Sequence, residues 1–229
     1  MNSHSTTLLL LAVSTTLAAH SHAQTLIEIY TMGRPLATAV LPYPSPPSLL
    51  IEDVDGDGVR DYVDASPDKA ADGWFGSNLG QIRIHSGATG ALLSYDDGGE
   101  FDALLRYVLA TVGDIDNDGV EDFAASAKLA DTGSVLPLTG SVHFYSGASA
   151  TLVELFTLDG PFPGAELGRS ISGAGDVNAD GFDDIALGAL SGNTGTVEIY
   201  SGKDQSILRT LTPSVPELSF GLSLCDLGD

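Results

Sequence analysis

The sequence predicts an all-β protein, an incomplete β-propeller of about three and a half four-stranded blades. Three observations predict it. An acidic nonapeptide occurs three times, as DVDGDGVRD (53–61), DIDNDGVED (114–122) and DVNADGFDD (176–184), with starts 61 and 62 residues apart. A strand-like element keeps the same rhythm: GQIRIHSG (80–87), GSVHFYSG (140–147) and GTVEIYSG (195–202). A third element, LGRSISGAGD (167–176), returns as FGLSLCDLGD (220–229). Recurrence at a fixed period marks a repeat architecture, and four short strands in roughly 60 residues is how a propeller blade reads.

The elements follow in chain order. Residues 1–23 read as a signal peptide: LLLLAVSTTLAA (8–19) is apolar, and Ser21 and Ala23 are small residues at the cleavage-determining positions. The preceding MNSHSTT has no Lys or Arg, and a buried apolar helix is the alternative. The apolar run is too short to cross a bilayer, which takes about 20 residues, so no membrane insertion is expected. The mature chain would begin near Gln24 and be secreted or held at the cell surface.

Residues 24–43 contain a partial copy, IEIYT (27–31), and residues 27–40 resemble the inner hairpin of a preceding blade. Full repeats occupy 44–104, 105–166 and 167–219, and residues 220–229 open a fourth. Asp229 aligns with Asp176, the first residue of an acidic loop. The chain is therefore expected to be a piece of a longer array; the alternative is a natural end that resembles a loop start. Unclosed blades leave edge strands that invite pairing with missing blades or self-association.

Within a repeat the pattern is strand. QIRIHSG, SVHFYSG and TVEIYSG alternate apolar and polar residues and close on Ser-Gly, a turn signal. Short apolar runs follow each turn (ALLSYDDG, TLVELFTLDG, SILRTLTP) and each acidic loop (DYVDASP, DFAASAK, DIALGAL). No segment holds a helical period beyond two turns.

Composition narrows the function. Nine basic residues stand against 31 acidic ones, a net charge of −22. That balance argues against nucleic acid and against an anionic membrane surface as partners. Hydrophobic residues make up 43%, which supports a folded chain. The single cysteine, Cys225, permits no internal disulfide and no cysteine-rich zinc site, so something else must stabilise the loops.

The acidic loops supply a candidate. Written D-x-[DN]-x-D-G-x-x-D, each can converge the side chains of positions 1, 3, 5 and 9 and the carbonyl of position 7 on one hard cation. The first loop would use Asp53, Asp55, Asp57, Asp61 and the Val59 carbonyl. The second would use Asp114, Asp116, Asp118, Asp122 and Val120. The third would use Asp176, Asn178, Asp180, Asp184 and Phe182. Position 6 is Gly58, Gly119 and Gly181, where a sharp turn needs positive φ. Apolar residues at position 2 (Val54, Ile115, Val177) and position 10 (Tyr62, Phe123, Ile185) can pin each loop to the core. Eleven carboxylates repel one another without a cation; three Ca²⁺ would bring −22 to −16. An EF-hand needs Glu at position 12, where this chain has Asp64, Ala125 and Leu187. Metal-free acidic turns are the alternative, since Asp, Asn and Gly favour turns.

These motifs resemble the FG-GAP repeats of the integrin α-subunit β-propeller and its bacterial relatives, over roughly residues 26–229. The acidic loops match that family's calcium loop. LGRS and FGLS stand where it has Phe-Gly, and DIALGAL where it has Gly-Ala-Pro. PSPPSLL (44–50), LRYV (105–108), DYVDASP and DFAASAK depart from the pattern. The resemblance implies a calcium-binding adhesion or ligand-binding module, with a protein or carbohydrate ligand and about three structural Ca²⁺. The alternative is the propeller scaffold of a secreted hydrolase or polysaccharide lyase.

No catalytic constellation is expected. His85 and His143 occupy different repeat positions and read as strand-surface or packing residues. Cys225 aligns with Ser172 and reads as a buried strand thiol. Trp74 and Phe75 read as a ligand contact or a small local core.

Overall fold

The computed structural model describes residues 25–31, 34–41, 47–66, 81–97, 108–127 and 139–226. The expected signal peptide, Trp74, Phe75 and Asp229 lie outside them. The described residues form strands and loops only, with no helix long and apolar enough to cross a membrane.

The described residues from 47 on form three four-stranded antiparallel sheets, each an up-and-down meander in sequence order. The first holds β3 (Ser48–Leu50), β4 (Tyr62–Ser66), β5 (Gln81–His85) and β6 (Leu92–Asp97). The second holds β7 (Leu109–Gly113), β8 (Asp122–Ala127), β9 (Ser141–Tyr145) and β10 (Glu154–Asp159). The third holds β11 (Ile171–Gly175), β12 (Asp184–Ser191), β13 (Thr194–Tyr200) and β14 (Ile207–Leu211). First strands β3, β7 and β11 adjoin in that order and line an open groove of about 530 Å³. These are propeller blades, as the repeats predict.

The core lies between blades, because alternate residues of each strand face opposite neighbours. Ile51, Val63, Ile82 and Ile84 of the first blade meet Phe123, Ala125 and Tyr145 of the second. Ala124, Val142 and Phe144 of the second meet Ile185, Leu187 and Tyr200 of the third. The middle blade is therefore buried on both faces: every residue of β8 and β9 is buried, whereas β5 alternates. Phe123 stacks on Tyr145 at 5.4 Å, and Phe144 on Phe156 at 4.6 Å. Each fully buried aromatic of this kind contributes about 1.5–3 kcal/mol.

Residues 217–222 dock on the third blade as Leu167 and Gly168 dock on the second. Ser170 Oγ donates to the Gly221 carbonyl at 2.7 Å, and Gly195 N–H to Glu217 at 2.7 Å. Position 2 of each acidic loop packs toward the following blade, which explains one departure from expectation. Ile115 is buried in the seam with the third blade, but Val177 is 54% exposed because no further sheet follows among the described residues. Cys225 is likewise exposed and outside any strand, not a buried strand thiol. A blade's first strand pairs only with its second, and Cys225 has no such partner among the described residues.

Residues 1–45 form a separate unit containing the antiparallel hairpin β1 (Thr25–Thr31) and β2 (Arg34–Leu41). Its register shifts between Ile29 and Tyr30. The outer hairpin of the third blade shifts at the matching Ile199 and Tyr200, and that of the first at Ile84 and His85. The inner pairs of the second and third blades shift as well, so the shift assigns the hairpin to neither pair of a blade.

Candidate metal centres

Each acidic loop joins the first and second strands of its blade, so the strand order brings all three to equivalent places. The loop folds on its own aspartates. Asp53 accepts N–H bonds from Gly56, Asp57 and Gly58 at 2.8, 3.1 and 2.7 Å. Asp114 accepts from Asp118 and Gly119 at 3.0 and 2.9 Å, and Asp176 from Asp180 and Gly181 at 3.0 and 2.9 Å. Gly58, Gly119 and Gly181 take φ of +88°, +92° and +91°, the sharp turn expected at position 6. Position 4 is left-handed as well, at Gly56, Asn117 and Ala179. Sequence reasoning missed it because one copy carries an alanine there.

The ninth residue anchors the loop. Asp61, Asp122 and Asp184 are wholly buried, and each carboxylate is held from two sides. One oxygen accepts the N–H of position 2: Val54 at 2.8 Å, Ile115 at 3.0 Å and Val177 at 2.9 Å. The other accepts the N–H of the glycine that ends the Ser-Gly motif: Gly87 at 2.8 Å, Gly147 at 2.9 Å and Gly202 at 3.3 Å. That motif is more than a turn signal. A Cβ on these glycines would stand 1.9, 2.0 and 2.1 Å from the carbonyl oxygens of Arg60, Glu121 and Asp183, the eighth loop residues. Only glycine lets the backbone come near enough to hold the buried aspartate. The available signal was the recurrence of Gly itself, where turn chemistry alone would also accept Asn.

Two carboxylate triads gather among the described residues: Asp53, Asp55 and Asp61, and Asp114, Asp116 and Asp122. Within each, one oxygen per residue lies within 4.8 Å of the others. Oxygens around one Ca²⁺ stand 2.3–2.6 Å from it, so opposite ligands are about 5 Å apart. The donor set and its span therefore fit that ion. Asp57 and Asp118 are not part of the triads; their Oδ1 atoms accept the N–H of Val59 and Val120, each at 2.9 Å. In the third loop Asn178 stands where the others have Asp55 and Asp116, and Asp180 accepts the N–H of Phe182 at 3.1 Å.

The charge is costly. Burial, with Asp116 and Asp118 nearby, pushes the Asp122 carboxyl up to about 7 despite the Gly147 N–H that opposes it. Burial also raises Asp116, helped by Asp118, and raises Asp184. The N–H of Gly181 lowers exposed Asp176. Carboxylates held this way prefer a proton or a cation as company.

The two histidines lie on strands, as expected. His85 stacks on Tyr62 at 5.0 Å beside the paired Asp64 and Arg83, whose Nε–Oδ1 distance is 2.7 Å. His143 has an environment that sequence did not suggest. Its Nδ1 meets Glu154 Oε1 at 2.9 Å, and its Nε2 meets Ser141 Oγ at 3.4 Å. This is the connectivity of a Ser–His–acid triad. Ser141 is only 1% exposed, however, and a hydroxyl closed from solvent cannot meet a substrate.

A family profile described as "FG-GAP repeat" matches residues 167–200, which span β11, the third acidic loop, β12 and β13. The chain is an FG-GAP repeat protein. Integrin alpha-V of Gallus gallus is 31% identical over 162 residues, covering 68% of this chain and 15% of that protein. Integrin alpha-PS5 of Drosophila melanogaster is 28% identical over 148 residues, covering 62% and 14%. The FG-GAP chain thus spans about one seventh of the length of these relatives. Among solved structures, Sqt1 of Saccharomyces cerevisiae aligns with a TM-score of 0.51 at 12% identity, over 85% of this chain and 46% of its own; that likeness concerns the fold alone.

Proposed function

We propose that this FG-GAP protein is an exported, calcium-stabilised propeller module for adhesion or for binding an extracellular protein or carbohydrate. The observation that carries it is the pair of all-oxygen triads built into equivalent loops, each completed by a wholly buried aspartate. The ligands would be Asp53, Asp55, Asp57, Asp61 and the Val59 carbonyl in the first loop. They would be Asp114, Asp116, Asp118, Asp122 and Val120 in the second, and Asp176, Asn178, Asp180, Asp184 and Phe182 in the third. Calcium, when bound, supplies positive charge that offsets the crowded carboxylates. The chain's own part is to hold those oxygens together: Gly87, Gly147 and Gly202 orient the ninth aspartates, and the left-handed turns wrap the loop on its first. Similarity to integrin α-subunits supports an extracellular binding role, with residues 1–23 as the export signal.

Metal binding would then be partly folding free energy, because the unfolded chain has no assembled site. At a free calcium concentration 100 times the dissociation constant, each site adds about 2.7 kcal/mol. Thermal unfolding in EDTA, in calcium and in magnesium tests this. Calcium is expected to raise the melting temperature and calorimetry to count about three ions. Asp118→Ala should remove one ion and lower the melting temperature. A melting curve indifferent to saturating calcium contradicts the structural role.

A further inference from the structure

The two seams between blades differ beside the acidic loops. At the seam of the second and third blades, Asp183, the eighth residue of the third loop, reaches across to the second. Its Oδ2 accepts the N–H of Asp114 at 2.8 Å, and its own N–H donates to the Asp114 carbonyl at 3.0 Å. Both polar groups of the Asp114 backbone are therefore held by one residue of the neighbouring blade. The approach depends on Gly113, which takes φ of +82°: a Cβ there would stand 2.3 Å from Asp183 Oδ2.

Among the described residues, the seam of the first and second blades has no such clasp. Glu52 and Glu121 occupy the positions of Gly113 and Asp183. Glu52 carries a side chain where Gly113 carries none, and that side chain pairs with Arg60 at 3.1 Å. The space at this seam is instead a cleft of about 420 Å³, lined by Glu52, Asp53 and Glu121 among others. The clasp is thus a particular device of one seam, not a property of the repeat.

Asp114 is the first ligand of the second loop in the calcium reading above, on which this inference rests. Asp183 stands at position 8 of its own loop, which supplies no ligand. We propose that Asp183 is a cross-blade positioning residue: it fixes the backbone of Asp114, so the third blade helps form the second blade's cation site. The consequence is crossed. A change in the third loop weakens the second site and spares the third. Residues that orient metal ligands from behind typically change affinity 10–100-fold when removed.

The test uses the full chain, ¹⁵N-labelled and titrated with calcium. The amides of Gly119 and Gly181 donate to Asp114 and Asp176 and so report the second and third sites separately. In Asp183→Ala, the Gly119 midpoint is expected to move about tenfold or more to higher calcium, with the Gly181 midpoint within about threefold of the parent. Asp183→Asn keeps an oxygen for the Asp114 N–H and should recover most of the affinity. Hydrogen exchange of the Asp114 amide without calcium should be slow in the parent and in Asp183→Asn, and fast in Asp183→Ala. Equal loss in the Asn and Ala variants makes Asp183 a remote charge and overturns positioning. An unmoved Gly119 midpoint, or a fast Asp114 amide in the parent, overturns it as well while leaving the calcium reading intact. Should neither glycine of the parent respond to calcium, the calcium reading falls and takes this one with it.

Discussion

Replacing Gly147 with alanine places a methyl group 2.0 Å from the Glu121 carbonyl oxygen, where ordinary contact begins near 3.4 Å. The obstacle is backbone and cannot rotate aside. Loop and turn must therefore part by ~1.4 Å, the difference between those two distances. The Gly147 N–H, now 2.9 Å from Asp122 Oδ1, would be pulled out of hydrogen-bonding range. Overpacking costs about 1–3 kcal/mol. Above pH 7, where the Asp122 carboxyl is ionised, losing a hydrogen bond to that charged group costs about 1.5–3 kcal/mol more. A total of about 2.5–6 kcal/mol is expected, measured by urea unfolding in EDTA so that metal plays no part. Gly192→Ala is the control: it also has positive φ, +62°, but nothing within 4 Å of the new carbon. It should lose only about 1 kcal/mol. If Gly147→Ala is no less stable than Gly192→Ala, close approach is not why glycine ends the Ser-Gly motif, and the argument fails.

Ala179 takes φ of +61°, a conformation that costs an L-residue about 1–2 kcal/mol, so Ala179→Gly should stabilise the chain by about 1 kcal/mol in the same assay. Phe123→Ala, in the seam of the first two blades, should cost about 3–5 kcal/mol, whereas Tyr95→Ala at a 53% exposed site should change stability by less than about 0.5 kcal/mol. The Asp122 carboxyl sits at about 7 in the fold against an ordinary 3.8, so the calcium-free fold favours its protonated form. That contribution is complete below pH 3.8 and disappears as pH rises through 7, so calcium-free stability should decline over that interval. Calcium binding at the second loop runs the other way and should weaken as pH falls below 7, because proton and cation compete for the same oxygens; calorimetry across pH checks the sign.

The acidic loops were legible because their spacing states their chemistry: aspartates at positions 1 and 9, Asp or Asn at 3 and a glycine at 6 predict a turn that gathers oxygens. The blades were legible because QIRIH, SVHFY and TVEIY alternate and recur. What sequence did not reveal depends on contacts between repeats. Val177 matches Ile115 in pattern, yet one is exposed and the other buried, because only Ile115 has a blade to pack against. Cys225 aligns with a strand residue but has no strand to pair with among the described residues. Asp183 differs from Glu121 by one methylene, and its role emerges only with Gly113 opposite.

On the proposed function, each loop's first, third and ninth side chains surround a divalent cation. Long-wavelength anomalous diffraction from crystals grown in calcium tests it most directly. The expected result is a strong peak amid Asp53, Asp55 and Asp61, another amid Asp114, Asp116 and Asp122, and a third amid Asp176, Asn178 and Asp184. Maps without peaks at these places, from crystals in saturating calcium, would contradict it.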